Sequence, residues 1–413
     1  MTLSTLLIAG AGQAGYQTAA SLRQEGYDGG IVLIGDEPGL PYQRPPLSKA
    51  YLQGKLTSPA LRFRQAEWYT QQRIERIEAR IEAIDRAGQS LRLADGTRLH
   101  YDHLVLALGA RNRVPAVPGI TLDGVLGLRT LVEADALTAR LAQAWRVVVV
   151  GAGFIGLEFA AAAVARGLEV DVIEIGARPM ARALSPTMSA AFDAAHRGWG
   201  VRLHYGQGLD SVLGSEGRAT GVRTTSGQLI PADLVVYGIG VLPNVELAAQ
   251  AGLAVDNGVR VDALLQTDDP AISAIGDLVS FPSPWAAQPL RLESVQNAVE
   301  QARAVAARLA GKPPAPYAAL PWFWSDQGEL KLQIAGLSEG FDTSVLLGDA
   351  TSRQFSVLCF REGRLIAVES CNLAADHMAA RKLLARHTDL GAAQAAVVGF
   401  ELKAYEEATR PPA

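Results

Sequence analysis

Cysteine is almost missing from this chain of 413 residues, with only Cys359 and Cys371 present. They stand 12 positions apart, so neither belongs to a C-x-x-C pair, the usual arrangement for thiol redox chemistry or a thiolate metal site. Both read as small hydrophobes packed in a core, and no metal site is expected. A strong charge of one sign is missing too. The formal net charge is −4, which argues against general nucleic-acid binding. No apolar run reaches the roughly 18 residues of a membrane-spanning helix. The opening Met1-Thr2-Leu3-Ser4 enters an apolar run almost at once. That leaves no room for a signal peptide, so a cytoplasmic protein without a membrane partner is expected. Low-complexity linkers are absent, and the one internal repeat is a pair of glycine-rich loops.

The first loop is Gly10-Ala11-Gly12-Gln13-Ala14-Gly15 and the second is Gly151-Ala152-Gly153-Phe154-Ile155-Gly156. Each follows an apolar run and opens an Ala-rich segment that reads as a helix. The first glycine of such a loop permits the tight turn out of the strand. The second lets the backbone approach a pyrophosphate, and the third allows close helix–strand packing. The helix N-terminus then offers unpaired N–H groups and the positive end of its dipole to the phosphates.

A dinucleotide loop also needs an acid at the end of the next strand, to hold the adenosine ribose. Asp36 and Glu37 follow the run Gly30 to Gly35, and Glu174 ends the run Glu169 to Ile173. Glu174 follows Gly151 by 23 positions, near the roughly 20 expected. Its charge disfavours a 2′-phosphate and so favours NADH. Arg178 and Arg182 lie just beyond and leave NADPH open. Two loops of this kind imply two dinucleotides, an arrangement that suits electron transfer between a mobile nicotinamide and a resident flavin.

Composition agrees. An apolar content of 49% and a charged content of 19% fit a globular chain, and the length suggests two to three domains with substantial cores. The fold class is α/β, with two Rossmann-like dinucleotide-binding domains, for FAD and NAD, plus a smaller α+β C-terminal domain. Motif order places FAD-binding segments at 1–111 and 242–317, an NAD-binding domain at 112–241 and the C-terminal domain at 318–413. A long helix is expected from Val295 to Ala310, broken by Gly311-Lys312-Pro313-Pro314. Alternating runs such as Phe355 to Phe360 read as strands, with helices after them.

Further motifs carry a family resemblance. They are Arg44-Pro45-Pro46-Leu47-Ser48-Lys49, Ala107-Leu108-Gly109, Gly156-Leu157-Glu158 and Ala274-Ile275-Gly276-Asp277. Glu293 to Ala298 and Trp322-Phe323-Trp324-Ser325-Asp326-Gln327 complete the set. With the two loops, they make nearly the whole chain resemble a bacterial NADH-dependent ferredoxin reductase of the putidaredoxin reductase type. These flavoproteins pass electrons to a [2Fe-2S] ferredoxin that serves a cytochrome P450 or a ring-hydroxylating dioxygenase.

The resemblance implies roles for single residues. Gly10, Gly12, Ala14, Gly15, Asp36, Arg44, Lys49, Ile81, Arg129, Asp277, Val295 and Trp324 would contact FAD. Asp277 would take the ribityl hydroxyls, though an acid there also suits a helix N-cap. Lys49 follows two stiffening prolines, and near the isoalloxazine its cation would favour the reduced, anionic ring. The Val295 end of the long helix would act in the same sense. Alone, Ile81 reads as core and Arg129 as a surface arginine. Gly151, Gly153, Ile155, Gly156 and Glu174 would hold NADH, and Gly240 would let the nicotinamide approach. Glu158, expected in the first turn of the second nucleotide helix, would either hold the carboxamide or stabilise the helix N-terminus. Arg303, eight residues after Val295, would border a docking surface for an acidic ferredoxin, unless it only pairs with a helix neighbour.

Lys49 and Glu158 are thus the residues expected nearest the chemistry, and the cofactors carry the rest. No sulfur lies in the Pro-Pro segment, where flavin-dependent disulfide reductases need a redox-active pair. Two rival functions remain: a flavin NADH oxidase, and an NADH-sensing flavoprotein whose output is a change in association.

Overall fold

A computed structural model describes residues 4–411. Met1, Thr2 and Leu3, on which the signal-peptide reading partly rests, lie outside the described residues. The chain packs into two units. The first comprises the described residues up to Gln43, then Pro59–Arg111 and Val241–Ala319. The second comprises Arg44–Ser58, Asn112–Gly240 and the described residues from Leu320 onward.

The core of the first unit is a five-stranded parallel sheet, ordered Ile272–Ala274, His103–Leu106, Thr5–Ala9, Gly30–Gly35, Ile74–Glu78. Its inner strands read as continuous apolar runs because parallel sheets are covered on both faces. Leu6, Ile8, Leu104 and Leu106 are fully buried. Thr5–Ala9 pairs with Gly30–Gly35 on one side and with His103–Leu106 on the other. The first glycine loop therefore leaves the sheet where the strand order reverses, the place where such sheets bind ligands. Helix Gln13–Gln24 follows the loop and packs against the long helix Val295–Leu309. That helix ends at Leu309 and Ala310 caps it. His103 Nε2 lies 2.9 Å from Ser273 Oγ, and Arg308 Nη2 donates to the same hydroxyl at 2.6 Å. These bonds pin two neighbouring parallel strands to the long helix.

The second unit repeats the plan. Its parallel sheet runs Arg202–Tyr205, Glu169–Glu174, Arg146–Val150, Leu234–Tyr237, Val125–Gly127. The second glycine loop leaves the central strand and opens helix Phe154–Val164. Residues 322–371 form a five-stranded antiparallel sheet, ordered Trp322–Gln327, Leu330–Gly336, Arg364–Cys371, Gln354–Arg361, Thr343–Asp349. Helix Ala374–Ala385 packs on it, followed by two short helices. The α/β class with an α+β C-terminal part is as read from the sequence. Among the described residues, no helix is long and apolar enough to cross a membrane.

Three features depart from the sequence reading. Residues 44–58 pack in the second unit and not with the rest of 1–111. Arg166 Nη1 donates to Leu52 O at 2.6 Å, and Tyr51 Oη to Asp135 Oδ1 at 2.5 Å. Residues 320 onward share that unit with 112–240. Ser185 donates its amide and hydroxyl to buried Glu369 at 2.8 and 2.6 Å. The run Phe355 to Phe360 does not alternate in exposure, since all six residues are buried. Ser356 is satisfied there by Ser370 Oγ at 3.0 Å and Asp376 Oδ2 at 2.8 Å.

Candidate functional site

The glycines of each loop divide into two kinds. Gly10 has φ +110°, and a Cβ there would collide with the Ala107 carbonyl. A Cβ on Gly15 would collide with the carbonyl of Gly10. Around Gly12, by contrast, no atom lies within 4 Å of the Cβ position. Gly12 has an ordinary φ of −75° and caps helix Gln13–Gln24 with no side-chain bond. Its missing Cβ thus leaves open space at a helix N-terminus that has no acid in its first turn. The second loop shows the same division. Gly151 has φ +103° and sits against Gly238 O, Gly156 packs on Gly151, and the nearest atom to a Cβ on Gly153 is Gly238 O at 3.9 Å. Two loops packed by their outer glycines and open at the middle one suit a pyrophosphate each.

In the first unit, Asp36 is exposed just past strand Gly30–Gly35, while neighbouring Glu37 accepts the Tyr42 hydroxyl. Ala14 is buried, and its Cβ lies 3.2 Å from the Cβ position of Gly276. The loop therefore packs directly beside the turn Gly276–Leu278 that carries Asp277. The Gly276 amide donates to Gln301 Oε1 at 2.7 Å. Gln301 Nε2 is buried without a partner among the described residues. Val295 is the first residue of the long helix. Ser294 caps that helix, accepting from the Asn297 amide at 3.1 Å, and no acid stands in its first turn. Ile81 is buried at the start of strand Ile81–Asp85 and belongs to the core. Arg303 is 57% exposed and pairs with Glu300 at 3.0 Å, so the helix neighbour is real.

In the second unit, Glu174 accepts the amides of Ala152 and Gly176, each at 2.7 Å. A carboxylate has about four lone-pair sites, so Glu174 can fix the loop and still accept ribose hydroxyls. Arg178 Nη2 donates to Ala181 O at 3.0 Å within its own loop. Arg182 is exposed, with Nη2 3.8 Å from the Cβ position of Gly240. Gly240 has φ +102°, a conformation that glycine adopts without strain. Ile155 is 40% exposed beside the loop, while Phe154 packs on Phe323 with ring centroids 4.6 Å apart. Phe323 is followed by half-buried Trp324, whose ring lies 5.6 Å from that of Trp322.

The residues read as nearest the chemistry come together. Lys49 follows the turn Pro45–Ser48 and places Nζ 3.1 Å from Glu158 Oε1 and 3.6 Å from Asp326 Oδ2. Ser48 donates to Glu158 Oε2 at 2.5 Å, and Ser325 donates to Oε1 at 2.7 Å. Arg44 Nη1 donates to Arg129 O at 3.0 Å. The Arg129 amide donates to Glu133, which completes a capping box with Thr130. Glu158 corrects the sequence reading. Its helix begins at Phe154, so it opens the second turn rather than lying in the first. It is 7% exposed, and its oxygens serve Lys49 and two serines instead of the helix terminus. Burial raises its carboxyl above the usual range, against the opposing pull of Lys49 and both hydroxyls.

Neither cysteine can act as a nucleophile. Both are buried in the antiparallel sheet. Burial pushes the Cys359 thiol up and that of Cys371 up to about 11, so thiolate is scarce at neutral pH. Cys359→Ser combined with Cys371→Ser is expected to leave NADH-driven turnover within about twofold, at some cost in unfolding midpoint. Loss of turnover in a folded, FAD-loaded double variant would restore a dithiol mechanism.

Sequence reasoning missed Gln301, Ser48, Ser325 and Gln327. Ser325 and Gln327 are two apart and so share one face of a strand. Two polar residues on the buried face of an aromatic-rich strand were the available signal.

A family model described as pyridine nucleotide-disulphide oxidoreductase matches residues 4–302. The chain belongs to this family. A second model, described as reductase C-terminal, matches residues 322–405 of the oxidoreductase. Rhodocoxin reductase of Rhodococcus erythropolis is 52% identical over 400 residues, covering 97% of this chain and 93% of its own. The ferredoxin reductase for the CYP199A2 system of Rhodopseudomonas palustris has a solved structure with a TM-score of 0.96 and 52% identity. That match covers 98% of this chain and 100% of the other. A covalent putidaredoxin reductase–putidaredoxin complex matches with a TM-score of 0.95 and 38% identity, covering 99% of each chain. The family name speaks of disulphides, yet this oxidoreductase keeps both its thiols out of reach.

Proposed function

We propose that this chain is an FAD-containing, NADH-dependent ferredoxin reductase. It passes electrons to a [2Fe-2S] ferredoxin that serves an oxygenase, either a cytochrome P450 or a ring-hydroxylating dioxygenase. One observation carries the reading: two glycine loops, each open at its middle glycine, in a chain whose thiols are both buried. Electrons thus enter from one nucleotide and leave without a dithiol. The similarity to reductases of ferredoxin-type partners supports the choice of acceptor.

Residues of 1–111 and 242–317 would bind FAD, with Gly10, Gly12, Ala14, Gly15 and Asp36 at its adenosine diphosphate half. Asp277, Ile81 and the Val295 helix end, together with Arg44, Lys49, Arg129 and Trp324, are assigned to FAD as well. Residues of 112–241 would bind NADH through Gly151, Gly153, Ile155, Gly156 and Glu174, with Gly240 leaving room for the nicotinamide. FAD, when bound, supplies the conversion of a two-electron donor into one-electron steps. The protein binds, orients and excludes water. Lys49 presents a positive charge, and Glu158 holds it in place. We place the enzyme in the cytoplasm, where NADH is available.

The test is a screen of the same organism's [2Fe-2S] ferredoxins, with NADH as donor and cytochrome c as final acceptor. Turnover that depends on one ferredoxin is expected. Steady NADH consumption in air without ferredoxin would indicate an oxidase. Reduction that changes only the association state would indicate a sensor.

Arg303 is the proposed docking residue. It stands about 12 Å along the helix from Val295 and is accessible. Arg303→Glu is expected to raise the KM for ferredoxin several-fold and to flatten its salt dependence. Ferricyanide reduction should barely change. Equal losses with both acceptors would place the damage at the flavin.

A further inference from the structure

Glu158 does not stand alone with Lys49. Buried hydrogen bonds reach it from two sides. His196, fully buried in helix Pro186–Gly198, has Nε2 2.8 Å from Gln327 Oε1. Gln327 Nε2 lies 3.2 Å from Ser325 Oγ, which donates to Glu158 Oε1 at 2.7 Å. Ser48 covers the other carboxylate oxygen at 2.5 Å. The donors form one sequence. His196 gives its hydrogen to Gln327, Gln327 to Ser325, and Ser325 to Glu158. A hydroxyl has a single hydrogen, and Ser325 directs it at Glu158 because Gln327 fills its acceptor side. Every link therefore favours negative charge on Glu158.

We propose that Ser325, backed by Gln327 and His196, and Ser48 are positioning residues that hold Glu158 as the carboxylate anchoring Lys49. The proposal rests on the reading that Lys49 serves the flavin. Without the anchor, the Lys49 ammonium has, among the described residues, one other acid within 4 Å. That is Asp326, 45% exposed and 3.6 Å away, and a move toward it would carry the charge toward solvent.

The other charges near the helix of Glu158 are already committed. On strand Glu169–Glu174, Asp171 is held by Arg202 and His204, and Glu174 by two amides. Lys49 comes from the turn Pro45–Ser48, and Asp326 from strand Trp322–Gln327. Burial lowers His196 to about 4, so titration of the cluster above that range belongs to Glu158.

The experiment uses the full-length, FAD-loaded protein and its Ser325→Ala, Ser325→Thr, Ser48→Ala and Lys49→Met variants. The visible spectrum of bound FAD and its anaerobic reduction by NADH are followed across pH, and thermal unfolding is followed in parallel. Removing a hydrogen bond to a charged group should raise the acid-side inflection by about one to two pH units. Ser325→Thr, which keeps the hydroxyl, should return it. Ser48→Ala should move it in the same direction and keeps the test open if Ser325→Ala fails to fold. An unmoved inflection, with only a lower unfolding midpoint, would make the serines structural and overturn the proposal. No response to Lys49→Met in either spectrum or reduction would remove the role of Lys49 itself, and the proposal with it.

Discussion

Gly153→Val is expected to give a folded, yellow protein that NADH barely reduces. The position has φ −79° and ψ −178°, extended backbone that valine adopts readily. A Cβ there meets only Gly238 O, at 3.9 Å, so the fold has room for it. The space it fills is the space a pyrophosphate would take. Losing one or two charge-assisted hydrogen bonds at about 1.5–3 kcal/mol each lowers the efficiency of flavin reduction by NADH roughly a hundredfold or more. Reduction by dithionite, which needs no nucleotide site, should be unchanged. Stopped-flow absorbance with both reductants separates the cases. Equal rates for variant and wild type with NADH would mean that the second loop does not hold the nucleotide. Gly151→Val is the control, because it demands a side chain at φ +103° and 2.7 Å from Gly238 O. It should fail to fold.

Glu174→Arg should invert the preference between the two nicotinamide cofactors. Glu174 now stands in two roles, since it fixes the amides of Ala152 and Gly176 and faces the adenosine ribose in our reading. The substitution therefore weakens the loop for both cofactors and removes the ribose acceptor for NADH alone. It also adds a cation where the ribose is read to lie, suited to a 2′-phosphate. Efficiency with NADH should fall about a hundredfold, and the NADH-to-NADPH ratio should fall by at least about tenfold. Steady-state kinetics with both cofactors, and circular dichroism to confirm folding, provide the check. A uniform loss with an unchanged ratio would leave Glu174 as a loop residue only.

The nucleotide loops were legible because their physics is local. A strand buried on both faces must be apolar throughout, as Val147 to Val150 are. A glycine whose Cβ would strike a carbonyl, as at Gly10 and Gly15, cannot be replaced, and Gly12 between them is left open for the ligand. The placement of residues 44–58 was not legible, since it depends on partners more than 80 positions away, Asp135 for Tyr51 and Arg166 for Leu52. Glu158 was singled out, but its setting was not foreseen. A shift of one residue along its helix separates a first-turn acid from this one, and helix starts are blurred in sequence by a residue or two. Ser325 and Gln327 were invisible as individuals. A serine on a strand has many uses, and only the fold shows that Glu158 and His196 lie on either side of this pair.

The central claim is that electrons enter in a pair from NADH and leave one at a time to an iron–sulfur protein. The most direct measurement is an anaerobic titration of the FAD-loaded protein with NADH, followed by oxidised [2Fe-2S] ferredoxin, with both chromophores recorded. One equivalent of NADH per FAD should bleach the flavin, and two equivalents of ferredoxin should restore it while becoming reduced. A flavin that stays bleached with ferredoxin, and recovers only when air is admitted, would contradict the account.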